Sequence, residues 1–162
     1  DIAKKYNIKY HNKHKLDLVD EILSNVDVIP NSIALAQAAI ESGWGKSRFA
    51  KEYNALFGEY TYDDSEGVIP LERENGDTHL IKAFSSYNNS VESYFNNINS
   101  HYAYEDFRDI RNIMRKRNNF SNINLLVNKL STYAEDENYI KTIRQVIRTN
   151  NFVIFDQKTI SY

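Results

Sequence analysis

The chain has 162 residues, 41% of them hydrophobic, and its 20 basic and 22 acidic side chains leave a formal net charge of -2; that supports one buried core rather than two, so a single domain over residues 1–162 is expected. With no surplus of basic residues to neutralise phosphates, nucleic acid and anionic membrane surfaces are poor partners. No apolar run approaches the roughly 20 residues of a membrane span, and the lack of any cysteine rules out disulfides, thiolate metal sites and a cysteine nucleophile.

Leu16, Val19, Ile22 and Leu23 recur at helical spacing and predict a first helix over residues 15–25, ending before Pro30. The next segment, Asn31 to Ser42, has Asn31 or Ser32 placed to cap it. Ala34, Ala36, Ala38 and Ala39 are strong helix formers whose small side chains allow neighbours to approach closely. Gly43 is suited to stop this helix in a left-handed conformation. A short amphipathic helix is predicted from Lys46 to Tyr53. Helical periodicity is then lost. Val68 to Arg73 and Thr78 to Phe84 flank Glu74-Asn75-Gly76-Asp77, whose Asn-Gly pair favours a tight turn, so one β-hairpin is predicted and no other sheet. Helical spacing returns at Val91, Tyr94, Phe95 and Ile98, at Phe107, Ile110, Ile113 and Met114, and at Ile123, Leu126, Val127 and Leu130. A last helix carries Tyr139, Ile140, Ile143, Val146 and Ile147, and all these sets read as core-facing stripes. The tail from Phe152 to Tyr162 reads as extended and packed on the body. Because the first residue is Asp1 and not Met, the chain is expected to be a processed or excised piece.

The most informative stretch runs from Ala36 to Ser47: Ala-Gln-Ala-Ala-Ile-Glu-Ser-Gly-Trp-Gly-Lys-Ser. A carboxylate just before a helix-stopping Ser-Gly sits among unpaired carbonyls, at the negative end of the helix. That field disfavours a second negative charge and is expected to raise the pKa of Glu41, with desolvation by Trp44 and Phe57 acting in the same direction. A carboxyl that keeps its proton near neutral pH suits glycosidic cleavage, in which the leaving oxygen must be protonated. A lone Glu at a helix end is ordinarily a solvated charge. Here Gly43 and Gly45 hold backbone close to the face of Trp44, which is useful beside a sugar ring. The twelve Tyr, eight Phe and one Trp fit a wall on which sugars stack, and equally a Tyr-rich core.

At these residues the chain resembles the peptidoglycan N-acetylglucosaminidases of the flagellar-muramidase and Bax-like type, within the wider lysozyme-like superfamily. The resemblance runs from about residue 30 to residue 147. It is carried by the Ala-Gln-Ala-Ala-Ile-Glu-Ser-Gly-Trp-Gly block, by Asn54-Ala55-Leu56-Phe57-Gly58, by Ser90-Val91-Glu92-Ser93-Tyr94, and by Thr132-Tyr133-Ala134-Glu135-Asp136-Glu137-Asn138-Tyr139. Gly67-Val68-Ile69-Pro70, Thr78-His79 and Asn99 to Tyr104 look closest to the Bax-like branch. The resemblance implies a mainly α, lysozyme-like helical body with a small β-lobe beside a substrate groove. It also implies Glu41 as acid, and Tyr133, facing it across the groove, as a sugar-binding residue that supports the transition state. Trp44, Asn54 and Phe57 would line the groove, and Tyr139 would join them as a substrate-binding residue, although its spacing alone marks it as a helix-face packing residue. The implied substrate is the glycan strand of peptidoglycan, cut within the strand at the β-1,4 bond after N-acetylglucosamine, with no cofactor and no metal, in the periplasm or at the cell surface.

A two-carboxylate mechanism needs a second Asp or Glu roughly 5 to 9.5 Å from the acid. Glu72, at the end of a predicted strand, is the first choice and Glu59, directly after Leu-Phe-Gly, the second; the acetamido group of the substrate could instead serve as nucleophile. Other chemistries lack their motifs. His11 and His14 have no third ligand and read as a surface pair, His79 and His101 are single, and no glycine-rich phosphate loop is present. The run Arg111, Arg115, Lys116 and Arg117 reads as a solvated helix face that could also attract anionic wall polymer. Two alternatives stand beside the glucosaminidase: a muramidase or lytic transglycosylase of the same superfamily, and a non-catalytic glycan-binding domain on the same scaffold.

Overall fold

The structure, a computed structural model, describes residues 2–6, 8–70 and 78–156. Its helices are α1 (Ile2–Lys5), α2 (Lys15–Asn25), α3 (Asn31–Glu41), α4 (Arg48–Tyr53), α5 (Tyr87–Ser100), α6 (Glu105–Lys116), α7 (Asn124–Val127) and α8 (Tyr139–Thr149), with strands β1 (Tyr60–Thr61), β2 (Gly67–Val68) and β3 (Leu80–Lys82) between α4 and α5. The chain divides into two compact units, one made of Asp1–Ala34 with Asn96–Tyr162 and the other of Leu35–Phe95, the divisions falling inside α3 and α5.

The first unit is helical. Ile29, Ile33, Ile98, Phe107, Leu126, Leu130 and Ile143 are fully buried in it. On α6, Phe107, Arg108, Arg111 and Met114 form the buried face, at the spacing of successive helical turns. Arg111 therefore does not belong to a solvated face, as its place in a basic run suggests, but lies wholly inside. Its guanidinium donates to the carbonyls of Ser24, Asn25, Asp27 and Val28 and to Asn99 Oδ1 at 2.7 Å. Burial pulls its pKa down to about 10 against the opposing charge of Asp27, which also forms an ion pair with Arg115. Lys116 and Arg117 alone of that run are exposed.

The helix predicted over residues 15–25 forms, yet none of its side chains is buried, and Leu16, Val19 and Leu23 point outward. Of its apolar residues Leu18 and Ile22 are half-buried, and Arg111 of α6 holds its last carbonyls. Val91 and Ile113, also placed on core stripes by their spacing, are 38% and 45% exposed. The start of α3 departs from expectation too. The oxygen that accepts from the first-turn amide of Ser32 belongs to Asp156, at 2.8 Å, whose second oxygen accepts from Ser32 Oγ at 2.6 Å. Asn31 instead donates to the Phe155 carbonyl. A carboxylate from 124 residues away thus supplies the cap, favoured by the positive end of the helix. The segment Phe152–Phe155 that carries it is a 3-10 turn and not extended.

The second unit combines the end of α3, α4, the sheet and most of α5. Ala36 and Ala39 are buried on α3, and Gln37 beside them accepts a hydrogen bond from Tyr94 Oη at 2.7 Å. The sheet is antiparallel with order β1-β3-β2, Val68 opposite Ile81 and Thr61 opposite Leu80. Its β2 and β3 correspond to the predicted hairpin, with much shorter strands, whereas β1 is an additional strand that the Asp- and Tyr-rich sequence around it conceals. The predicted turn at residues 74–77 lies outside the described residues. Gly67 is required by close approach: a Cβ there would stand 2.4 Å from Leu80 Cβ and 2.6 Å from Thr61 Cγ2.

Candidate active site

The last turn of α3 is closed by a Schellman arrangement, in which Trp44 N donates to the Ala39 carbonyl at 2.7 Å and Gly43 N to the Ile40 carbonyl at 3.2 Å. Buried Ser42 fastens the turn: its hydroxyl donates to the Ala38 carbonyl at 2.6 Å and accepts from Gly45 N at 2.8 Å. Gly43, Trp44 and Gly45 all have positive φ, at 56°, 59° and 71°. Glycine adopts this region freely, but for a bulky side chain it is strained. Trp44 is nonetheless held there with 55% of its surface exposed. An exposed indole on a strained backbone is an unusual combination, and strain of this kind collects at functional sites.

Glu41 stands one turn after Gln37, and its half-buried side chain lies against Gly58. A Cβ at Gly58 would come within 3.1 Å of Glu41 Oε2, and the φ of +62° at Gly58 separately favours glycine. The Leu-Phe-Gly block is thereby explained at two of its positions. Phe57 is 3% exposed and stacks on Tyr94 with ring centroids 4.0 Å apart, so the tyrosine that bonds Gln37 also seats the residue before Gly58. Phe57 is consequently a buried support and not the lining residue expected. Asn54 ends α4 in the left-handed region and donates its side-chain amide to the Phe84 carbonyl at 2.9 Å, a structural tie.

Glu59 follows Gly58. Its Oε2 accepts from Ser93 Oγ at 2.9 Å, while its Oε1 is buried with no hydrogen-bond partner among the described residues. Burial pushes its pKa up, partly opposed by the Ser93 hydroxyl and by the charge of Lys82. Glu72 lies outside the described residues. Ser93 and Gln37 were not singled out from the sequence; each lies in a block that carries the resemblance, but only the fold shows which neighbour its polar group meets.

In the first unit, Tyr133 is half-buried and stacks on Tyr139 with centroids 5.8 Å apart and planes 3° from parallel. Tyr104 lies at 6.1 Å on a tilted plane. Tyr139 is 3% exposed, so its ring backs Tyr133, in keeping with the packing role its helical spacing suggests and not with sugar contact. Of the histidines, His14 and His101 accept from the backbone amides of Leu16 and Ala103 and cap α2 and the 3-10 turn Tyr102–Tyr104.

A family model described as mannosyl-glycoprotein endo-beta-N-acetylglucosaminidase matches residues 16–152. The chain belongs to this glucosaminidase family. Protein bax of Escherichia coli K12 is 34% identical over 134 residues, which is 83% of this chain and 47% of that protein. Peptidoglycan hydrolase FlgJ of Escherichia coli K12 is 33% identical over 93 residues, covering 49% of the chain and 29% of its own length. The chain therefore spans less than half of the relatives it matches. The catalytic domain of the autolysin Auto from Listeria monocytogenes superposes with a TM-score of 0.57 at 21% identity, over 77% of this chain and 74% of that domain. The glucosaminidase chain thus has the expected mainly α, lysozyme-like fold with a small antiparallel sheet. Among the described residues no helix is long and apolar enough to cross a membrane.

Proposed function

We propose that this glucosaminidase is a peptidoglycan hydrolase that cleaves the β-1,4 bond after N-acetylglucosamine within glycan strands, outside the cytoplasm, in the periplasm or at the cell surface. The observation that carries the reading is the Glu41 carboxyl on the closing turn of α3, laid against the bare Cα of Gly58 and followed by the strained, exposed Trp44. The Glu41 carboxyl, as general acid, donates its proton to the departing glycosidic oxygen. Trp44 offers an apolar face to a sugar ring. Tyr133, backed by Tyr139, binds sugar and supports the positive charge that develops at the anomeric carbon.

For the second group, Glu59 is buried and tied to Ser93, and its burial raises its pKa, a setting less suited to a nucleophile that meets the sugar. Glu72 or the acetamido group of the substrate is then the partner of Glu41. Peptidoglycan, and not the glycoprotein in the description of the family model, is favoured as substrate because FlgJ is named a peptidoglycan hydrolase and Auto an autolysin.

Mass spectrometry of purified wall digested by the protein tests the choice of bond. Fragments with reducing-end N-acetylglucosamine are expected. Reducing-end muramic acid would make it a muramidase, anhydro-muramic ends a lytic transglycosylase, and an undigested but protein-coated wall a glycan-binding domain.

A further inference from the structure

The exposed side of α8 carries Lys141, Arg144, Gln145 and Arg148, spaced three, four and seven residues apart and so aligned along one face. They line a cleft of about 690 Å³ in the first unit, whose other walls include Asn124, Asn151 and the apolar Ile123 and Ile147. Among the described residues no carboxylate lines it. Among the described residues none of the three cations has an acidic side chain within ion-pair distance. Such a concentration of positive charge is out of keeping with a chain of net charge -2.

Local structure does not account for it. Arg148 belongs to the last turn of α8, where a cation is favoured, but Lys141 sits in the first turn, at the positive end of the helix, where it is not. Glu135, Asp136 and Glu137 precede the helix and are exposed, yet none of them reaches the cleft. Three unneutralised cations spread over about 10 Å of helix, at a rise of about 1.5 Å per residue, repel one another unless an anion joins them. Arg144 is already oriented, its guanidinium donating to Asn128 Oδ1.

The remaining lining identifies the class of anion. Guanidinium groups match carboxylates as paired donors. The amides of Asn124, Gln145 and Asn151 both donate and accept, which answers the alternating N–H and C=O of a peptide. A phosphodiester chain would leave their carbonyl oxygens unanswered. Ile123 and Ile147 supply an apolar floor suited to methyl side chains. We infer that the α8 cleft binds a carboxylate-bearing peptide, which, on the reading of the enzyme as a peptidoglycan hydrolase, is the acidic stem peptide attached to the glycan.

The test uses the full chain, wild type and a Lys141→Gln, Arg144→Gln, Arg148→Gln variant, with circular dichroism to confirm that both are folded. Three probes are titrated or digested: a soluble N-acetylated Ala-Glu-Lys-Ala tetrapeptide, intact wall, and wall glycan stripped of its peptides. The variant should bind the tetrapeptide about 10-fold more weakly, as expected for losing three exposed charge contacts. It should digest intact wall with raised KM and unchanged kcat, and digest stripped glycan at the wild-type rate. Equal tetrapeptide affinity in the two proteins overturns the inference, as does a glycerol phosphate oligomer that binds more tightly than the tetrapeptide and loses affinity in the variant. Stripped glycan keeps the two readings apart: if wild type cuts no glycan but the tetrapeptide still binds through the three cations, the cleft stands and the hydrolase reading falls.

Discussion

Two helix C-termini in this protein meet the same problem in opposite ways. At the end of α2 the carbonyls that lack helical partners receive the buried guanidinium of Arg111, a cation at the negative end of a helix. The last residue of α3 is instead Glu41, a carboxyl at the helix end whose field disfavours negative charge, and the turn that follows places a tryptophan in a conformation better suited to glycine. The first arrangement sets a cation where the helix field favours one and is explained by stability. The second breaks two rules within four residues, and such breaches concentrate at functional sites. On the proposed reading, the first arrangement serves the fold and the second serves chemistry.

That contrast can be broken by substitution. Arg111→Ala takes a donor from four carbonyls, of which that of Asp27 still accepts from Asn99 Nδ2, leaves the Asp27 carboxylate less well compensated, and should destabilise the protein by about 3–5 kcal/mol. In a thermal melt this is a fall of roughly 6–20 °C, while specific activity of the folded fraction at low temperature is retained. Gly58→Ala should act the other way round. A Cβ 3.1 Å from Glu41 Oε2 displaces the acid, so wall lysis should drop about 100-fold, with only about 1 kcal/mol of stability lost from the positive φ. Trp44→Gly should reduce wall binding about 10-fold in a sedimentation assay and leave the melt unchanged or raise it by up to about 1 kcal/mol, because strain is relieved.

The smallest effect concerns Glu59, whose folded-state pKa lies above its ordinary value of 4.5. The folded protein then holds this proton more tightly than the unfolded chain, so stability falls as pH rises from near 4.5 through the raised value. Glu59→Gln, which cannot ionise, should melt higher than wild type at pH 8, with the gap closing toward pH 4. A gap independent of pH would show that the carboxyl is not desolvated.

Much of this was legible in the chain. Glu41, Ser42 and Gly43 announce a helix end by residue type, and the Schellman turn forms there. Helix spans followed periodicity, with α2 predicted over residues 15–25 and found at Lys15–Asn25. What periodicity cannot reveal is which face is covered. Leu16, Val19 and Leu23 are spaced like core residues but lie outside, whereas Arg111, read as surface because it is charged, lies inside. Its partners are backbone carbonyls more than 80 residues away, and carbonyls leave no mark on sequence. The same holds for Asp156 at the start of α3 and for Ser93 at Glu59: side chains ordinary by composition, given a task only by the fold. Phe57 and Tyr139 were drawn toward the sugar because they belong to family blocks, but their burial makes them supports for Gly58 and Tyr133.

The proposed role of Glu41, at the closing turn of α3, is to donate a proton. Its most direct test is to measure the melting temperature and the clearing of purified wall for Glu41→Gln side by side. The variant should still fold and melt cooperatively, while clearing falls by about 100- to 10,000-fold. A variant that clears wall at the wild-type rate, or loses activity only because it unfolds, would contradict the account.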